Sequence, residues 1–171
     1  MKLKIMNKKF LFKNDKIFLT GHNGLVGSSL FLKLHEKGYK KIITVNKNKL
    51  DLRNTNLVNK FLKKNKPSII IIAAAKVGGI MANSNSPIDF LNDNLMIQSN
   101  LINLGFKNQI SKIIFLGSSC IYPKFAKQPL KEEYLLDGQL ETTNEAYALA
   151  KIVGVKLCNY YNSKFNMSYR C

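Results

Sequence analysis

The stretch Lys16-Ile17-Phe18-Leu19-Thr20-Gly21-His22-Asn23-Gly24-Leu25-Val26-Gly27 decides the fold. Its start predicts a strand over Lys16–Thr20. Three glycines follow at GxxGxxG spacing, and Leu25–Lys37 carries Leu30 and Leu34 on one helical face before Gly38 closes it. The alternation continues outward. Lys41–Val45 predicts a second strand, Asn56–Asn65 a short helix stopped before Pro67, and Ser68–Ile72 a β-branched strand. Asp89–Phe106 predicts a longer helix and Lys112–Gly117 a strand. After an irregular stretch through Leu140, Asn144–Phe165 predicts a long helix and Met167–Cys171 opens another strand. Apolar strands separated by helices imply a parallel sheet covered on both faces. The expected class is α/β, a doubly wound parallel sheet. No internal repeat or low-complexity linker divides the chain. Residues 1–15, rich in Lys and Asn and without helical or strand period, are expected to be a mobile basic leader before a domain at 16–171.

The composition excludes several classes. A chain of 171 residues has the length of one domain and can bury roughly two thirds of its unfolded surface, so a core is possible without disulfides. Apolar residues at 46% and charged residues at 22% are globular proportions. The longest apolar run, Ile69–Ala75, is far short of the ~20 residues that span a bilayer, and Phe10-Leu11-Phe12 is too short for the apolar part of a secretory signal. Cys120, Cys158 and Cys171 are odd in number and widely spaced, which suits neither a disulfide framework nor a zinc or other metal site. A reducing, cytoplasmic setting without membrane partners is the expectation. The net charge of +17 would ordinarily suggest nucleic acid. Here the basic residues are almost all lysines scattered among Asn and Ile, and only Arg53 and Arg170 are arginines, the residue that reads bases and clamps phosphates in a fork. No nucleic-acid partner is expected. A basic surface still attracts small anions such as nucleotides.

The glycine turn carries the first chemistry. Between a first strand and a first helix, glycines permit a tight turn, close approach of a pyrophosphate to the backbone, and contact of helix with sheet. The helix start then offers free N–H groups to phosphate. Gly21, His22, Asn23, Gly24, Leu25, Val26 and Gly27 are therefore candidate dinucleotide contacts, and the spacing points to the short-chain dehydrogenase type. After the second strand, where NAD binders usually place an acid, the chain reads Val45-Asn46-Lys47-Asn48-Lys49. Lys47 or Lys49 would attract a 2′-phosphate, favouring NADP, unless they are simply two more surface lysines. Asp51 beside Leu52 either hydrogen-bonds the adenine amine or caps a helix. Tyr147 and Lys151 stand i,i+4 on one helix face, where an ammonium would favour the phenolate and make an acid/base for a carbonyl oxygen; a solvated pair is the alternative. Ser118 and Ser119 follow the fourth strand at the edge where such sheets bind ligands. His22 and His35 read as a turn residue and a surface helix residue, and Cys158 as a packing thiol.

Three segments now carry a resemblance: Ala73-Ala74-Ala75-Lys76-Val77-Gly78-Gly79-Ile80, Phe115-Leu116-Gly117-Ser118-Ser119-Cys120-Ile121-Tyr122-Pro123-Lys124 and Thr143-Asn144-Glu145-Ala146-Tyr147-Ala148-Leu149-Ala150-Lys151. From about Lys16 to the last residue the chain resembles the GDP-L-fucose synthase family of extended short-chain dehydrogenases, with the block around Cys120 more specific than the glycine turn. The resemblance implies a Rossmann-like NADP-binding fold and epimerisation of GDP-4-keto-6-deoxy-mannose at C3 and C5, followed by hydride delivery from NADPH to C4. It implies Tyr147 as proton donor/acceptor, Lys151 as its ribose-binding partner, Ser118 on the keto oxygen and Cys120 in the proton transfers. A thiolate suffices for that last role because the C4 ketone acidifies the neighbouring protons. Ala74, Leu116, Gly117, Ser118 and Ser119 complete the expected cofactor contacts, and a homodimer is expected of the full-length family.

The family continues past Cys171. A Pro-Thr-Asn-x-Tyr-Gly-Pro segment, a histidine acid/base and a sugar-nucleotide domain are expected to lie outside these residues. The fold is therefore expected to be truncated before the substrate domain, and the chain inactive alone. A UDP-hexose 4-epimerase or dehydratase shares the glycine turn and YxxxK but has no use for Cys120 or the Lys76–Gly79 loop. A non-catalytic NADP-binding remnant is the other rival.

Overall fold

The computed structural model describes residues 10–171. Strands β1 (Ile17–Thr20), β2 (Ile42–Ile43), β3 (Ile69–Ile72), β4 (Lys112–Phe115) and β5 (Ser168–Arg170) form one parallel sheet in the order β2-β1-β3-β4-β5. Helices α1 (Leu25–Glu36), α2 (Thr55–Asn65), α3 (Ile80–Asn85), α4 (Pro87–Lys107) and α5 (Glu145–Phe165) connect them, with 3-10 turns at Ser119–Ile121, Glu132–Tyr134 and Thr142–Asn144. Every residue of β1 and β3 is buried, the signature of strands covered on both faces. Alternate residues serve opposite faces. Phe18, Ile70, Ile72, Ile113 and Phe115 pack with Val58 and Leu62 of α2, Leu101 and Ile102 of α4 and Cys158 of α5. Ile17, Leu19, Ile69 and Ile71 pack with Leu34 of α1.

Local chemistry sets the helix ends. The Asn54 side chain accepts from the Leu57 N–H at the start of α2, and Lys66, left-handed at φ +45°, ends that helix ahead of Pro67. Pro87 opens α4, where a missing N–H costs nothing. The start of α1 differs: Gly24 gives no side-chain cap and the first turn holds no acid, so its N–H groups stay available to an anion.

Several expected boundaries move. The second strand pairs only at Ile42–Ile43, because at the sheet edge it has one neighbour. The fourth stops at Phe115 and leaves Leu116–Ser118 as the edge loop. Helix α3 was not anticipated, and α4 begins at Pro87 rather than Asp89. The expected mobile leader needs correcting in part. Residues 1–9 lie outside the described residues, but Phe10 and Leu11 pack on the α1 side of the core, Asp15 accepts from Ser68 Oγ at 3.1 Å and pairs with Lys112 at 3.5 Å, and Arg170 stacks over the Phe10 ring. Among the described residues, packing includes Phe10 and Leu11, ahead of Lys16.

Candidate functional site

The sheet reverses its winding between β1 and β3, and ligands of open α/β sheets bind at such a point, beyond the carboxyl ends of the strands. The register places Thr20, Ile72 and Phe115 side by side, so the residues after them form one edge. Thr20 Oγ1 ties it together, donating to the Ile71 carbonyl at 3.2 Å and accepting from the Ala74 N–H at 3.3 Å. The turn that follows admits only glycine at two positions. Gly21 has φ +71°, and a Cβ there would lie 2.6 Å from the Ala73 and Ala74 backbone. A Cβ on Gly27 would lie 2.0 Å from the Gly21 carbonyl oxygen.

Beside this turn opens a cleft of about 710 Å³. The predicted residues Gly21, His22, Asn23, Gly24, Leu25, Val26, Gly27, Lys47, Asp51, Leu52 and Ala74 all line it. Lys49 does not. Its size, glycine floor and uncapped helix start fit an extended dinucleotide. Residues outside the expected contacts also contribute, Lys76 among them. Asn46 accepts from Asn23 Nδ2 at 2.9 Å across the mouth, and Arg53 and Asp93 form part of the wall. Asp51 is not a helix cap, since Asn54 has that place. Instead Arg53 grips it, with Nη2 donating to Oδ2 at 2.7 Å and Nε to Oδ1 at 3.0 Å. This hydrogen bonding holds the Asp51 carboxyl at about 2.

Leu116, Gly117, Ser118, Ser119 and Lys151 stand apart from that cleft, at the end of β4. There the fold brings residues 118–120 to face α5. Cys120 directs both its S–H (3.1 Å) and its N–H (3.4 Å) at Ser118 Oγ. A hydroxyl has one proton and two acceptor sites, so Ser118 can take both Cys120 contacts and still donate its own proton, in the resting site to Tyr147. Lys151 is 4% exposed, donates to the Leu116 carbonyl at 2.8 Å and lies 5.7 Å from the Tyr147 ring centre. Burial lowers its pKa to about 8, against the opposing pull of the Cys120 charge.

Tyr147 departs from expectation. Burial, and then the charge of Cys120, push its phenol above the usual value, with only the Ser118 hydrogen bond acting the other way. The ammonium was expected to favour the phenolate, but it is turned to the Leu116 carbonyl. The resting site therefore holds a neutral phenol, a proton donor.

Behind both regions, the buried Asn94 accepts from the Lys76 N–H at 2.9 Å and donates to the Lys76 carbonyl at 3.0 Å, fixing the loop after β3. Gln98 donates to the Ala150 carbonyl and locks α4 to α5. His35 is exposed and Cys158 is a buried core thiol. No helix among the described residues is long and apolar enough to cross a membrane.

The chain is similar to known proteins. A GDP-L-fucose synthase of Sinorhizobium fredii is 46% identical over 160 residues, 94% of this chain and 51% of its own length. A GDP-L-colitose synthase of Yersinia pseudotuberculosis is 46% identical over 86% of this chain and 47% of its own. The solved structure of a GDP-mannoheptose C4 reductase from Campylobacter jejuni with NADP bound superposes with a TM-score of 0.89 at 38% identity, covering 93% of this chain and 50% of that one. The chain spans about half the length of the curated relatives it matches. With residues 17–171 matching its family description, the chain belongs to the NAD dependent epimerase/dehydratase family.

Proposed function

We propose that residues 16–171 are the NADP-binding part of an enzyme that epimerises GDP-4-keto-6-deoxy-D-mannose at C3 and C5 and reduces it at C4, yielding GDP-L-fucose. One observation carries this reading: the glycine-floored cleft and the Ser118–Cys120–Tyr147–Lys151 corner occupy the same sheet edge. The relatives' names, each a GDP-sugar synthase or reductase, support the substrate class.

When bound, NADPH supplies the hydride for C4. The residues do the rest. Gly21 and Gly27 let the backbone approach the pyrophosphate, the free N–H groups of α1 hold it, and Lys47 takes the 2′-phosphate. Ser118 turns its hydroxyl to hydrogen-bond the C4 oxygen, which makes the C3 and C5 protons acidic enough for Cys120 to move. Tyr147, a neutral phenol, protonates the C4 oxygen as the ketone is reduced. Lys151 lies where it can hold the ribose and turn its charge to the phenol. The guanine nucleotide is left to the sugar-nucleotide domain that the family resemblance implies beyond these residues. A cytoplasmic homodimer is the proposed setting.

The chain alone should bind NADPH more tightly than NADH in a fluorescence titration, and Lys47→Asp should erase the preference. Equal affinities in the wild type refute the phosphate site. Fused to the C-terminal half of the Sinorhizobium fredii relative, it should form GDP-fucose. Without that half, no product should appear. In the fusion, Cys120→Ser should slow deuterium exchange at C3 and C5 more than ketone reduction, and unchanged exchange removes Cys120 as the base.

A further inference from the structure

We propose that Arg53 sets the cofactor preference of the cleft by masking the Asp51 carboxylate, which leaves Lys47 free for the 2′-phosphate. The inference rests on the reading of this cleft as a dinucleotide site.

The cleft wall holds three cations, Lys47, Arg53 and Lys76, and two carboxylates, Asp51 and Asp93. A carboxylate there repels the extra phosphate of NADP, so the wall is compatible with that cofactor only if its acids are neutralised. Arg53 does this for both. Its backbone N–H and Nε each donate to Asp51 Oδ1 at 3.0 Å, Nη2 donates to Asp51 Oδ2 at 2.7 Å, and Nη1 reaches Asp93 Oδ1 at 2.9 Å. Three of the five guanidinium N–H groups are committed to carboxylates and Asp51 fills the Nε–Nη2 fork, so Arg53 does not offer that fork to a phosphate. It is a positioning residue that acts through Asp51.

The two acids differ in what they keep once Arg53 is gone. Asp93 retains Lys76, whose Nζ is 3.3 Å away. Asp51 is left with Lys47, whose charge already reaches it. Removing Arg53 therefore has two effects with the same sign. It unmasks a negative charge beside the 2′-phosphate, and it draws Lys47 away to pair with that charge. NADH, lacking the phosphate, meets neither penalty.

The test titrates the whole 171-residue chain with NADPH and NADH at low ionic strength. Arg53→Met keeps the apolar stem. It should weaken NADPH about tenfold and leave NADH within about twofold. Arg53→Met combined with Asp51→Asn should restore most of the NADPH affinity, and added salt should shrink the difference between single variant and wild type. A merely structural role weakens both cofactors together. That result, or a double variant that recovers nothing, overturns the inference and leaves the dinucleotide reading standing. If the wild-type chain binds neither cofactor, the dinucleotide reading falls and takes this inference with it. If Arg53→Met fails to fold, Arg53→Gln, which can still hydrogen-bond both carboxylates without charge, carries the same comparison.

Discussion

The cleft beside β1 and the corner beyond β4 share one sheet edge but are built from different materials. The cleft is made mainly of backbone: Gly21 at φ +71°, Gly27 against a carbonyl oxygen, and a helix start left uncapped. Asp51, Arg53, Lys76 and Asp93 sit part-buried on its wall and paired among themselves, while Lys47 is exposed. The corner is made of side chains, a hydroxyl, thiol, phenol and ammonium drawn from two segments and partly or fully withdrawn from water. Backbone suits a task that needs shape and fixed N–H dipoles. Side chains suit a task that moves protons, because burial adjusts when they release them. Binding and chemistry are thereby separable, and mutations should separate them.

Tyr147→Phe should have the largest effect. In the fusion with a relative's C-terminal half, it should cut reduction about a thousandfold, in the range for loss of a positioned acid. NADPH affinity should stay near wild type. A parallel loss of NADPH binding would merge the two regions into one and break the comparison. Gly27→Ala attacks the other side. Its Cβ would sit 2.0 Å from the Gly21 carbonyl oxygen, and no flexible side chain is there to yield. A cost of about 3 kcal/mol in urea unfolding is expected, with loss of NADPH binding.

Lys151 gives a pH test of the corner. Its pKa falls from 10.5 to about 8 on folding, because burial disfavours the ammonium. Below pH 8 both folded and unfolded chains carry the proton, and the folded chain bears the full burial penalty. Between 8 and 10.5 the unfolded chain binds more protons, so this contribution to stability rises with pH. Relative to Lys151→Met, the wild-type chain should gain about 3 kcal/mol over that window. A flat difference would mean that the ammonium is not desolvated. Above pH 10 the raised tyrosines Tyr147 and Tyr169 act in the opposite direction, which is why the reading is a difference between two proteins.

The same division explains what the sequence disclosed. β1, β3 and the glycine turn were legible because each is a local pattern: four buried residues in a row, or glycines at fixed spacing where the backbone needs them. α3 was not, because six residues between Gly79 and Ser86 are too few to show a helical period. The leader at 10–15 looked like a solvated lysine tail, although Phe10, Leu11 and Asp15 find partners far along the chain. In the corner, Ser-Ser and YxxxK mark Ser118, Tyr147 and Lys151 as candidates, but not the direction of their side chains. The i,i+4 spacing put Lys151 near Tyr147, yet only the fold reveals the Leu116 carbonyl that draws the ammonium away and the burial that raises the phenol. Arg53 was passed over for a similar reason: its partner Asp93 stands 40 positions away on α4.

The smallest expected effect is the one that best isolates the wall of the cleft. Asn54 follows Arg53 directly, and its side chain accepts from the Leu57 N–H at 3.0 Å to start α2. Asn54 does not line the cleft. Asn54→Ala should cost about 1 kcal/mol of stability, the usual value of such a cap. If Arg53 matters only because it steadies the entry to α2, then loosening that entry from the next residue should also shift the NADPH-to-NADH ratio. If Arg53 matters through the charge of Asp51, the ratio should hold even as the urea midpoint falls, because Asn54→Ala leaves every charge on the wall in place. A changed ratio in Asn54→Ala would therefore assign the preference to the α2 entry and not to the ion pair.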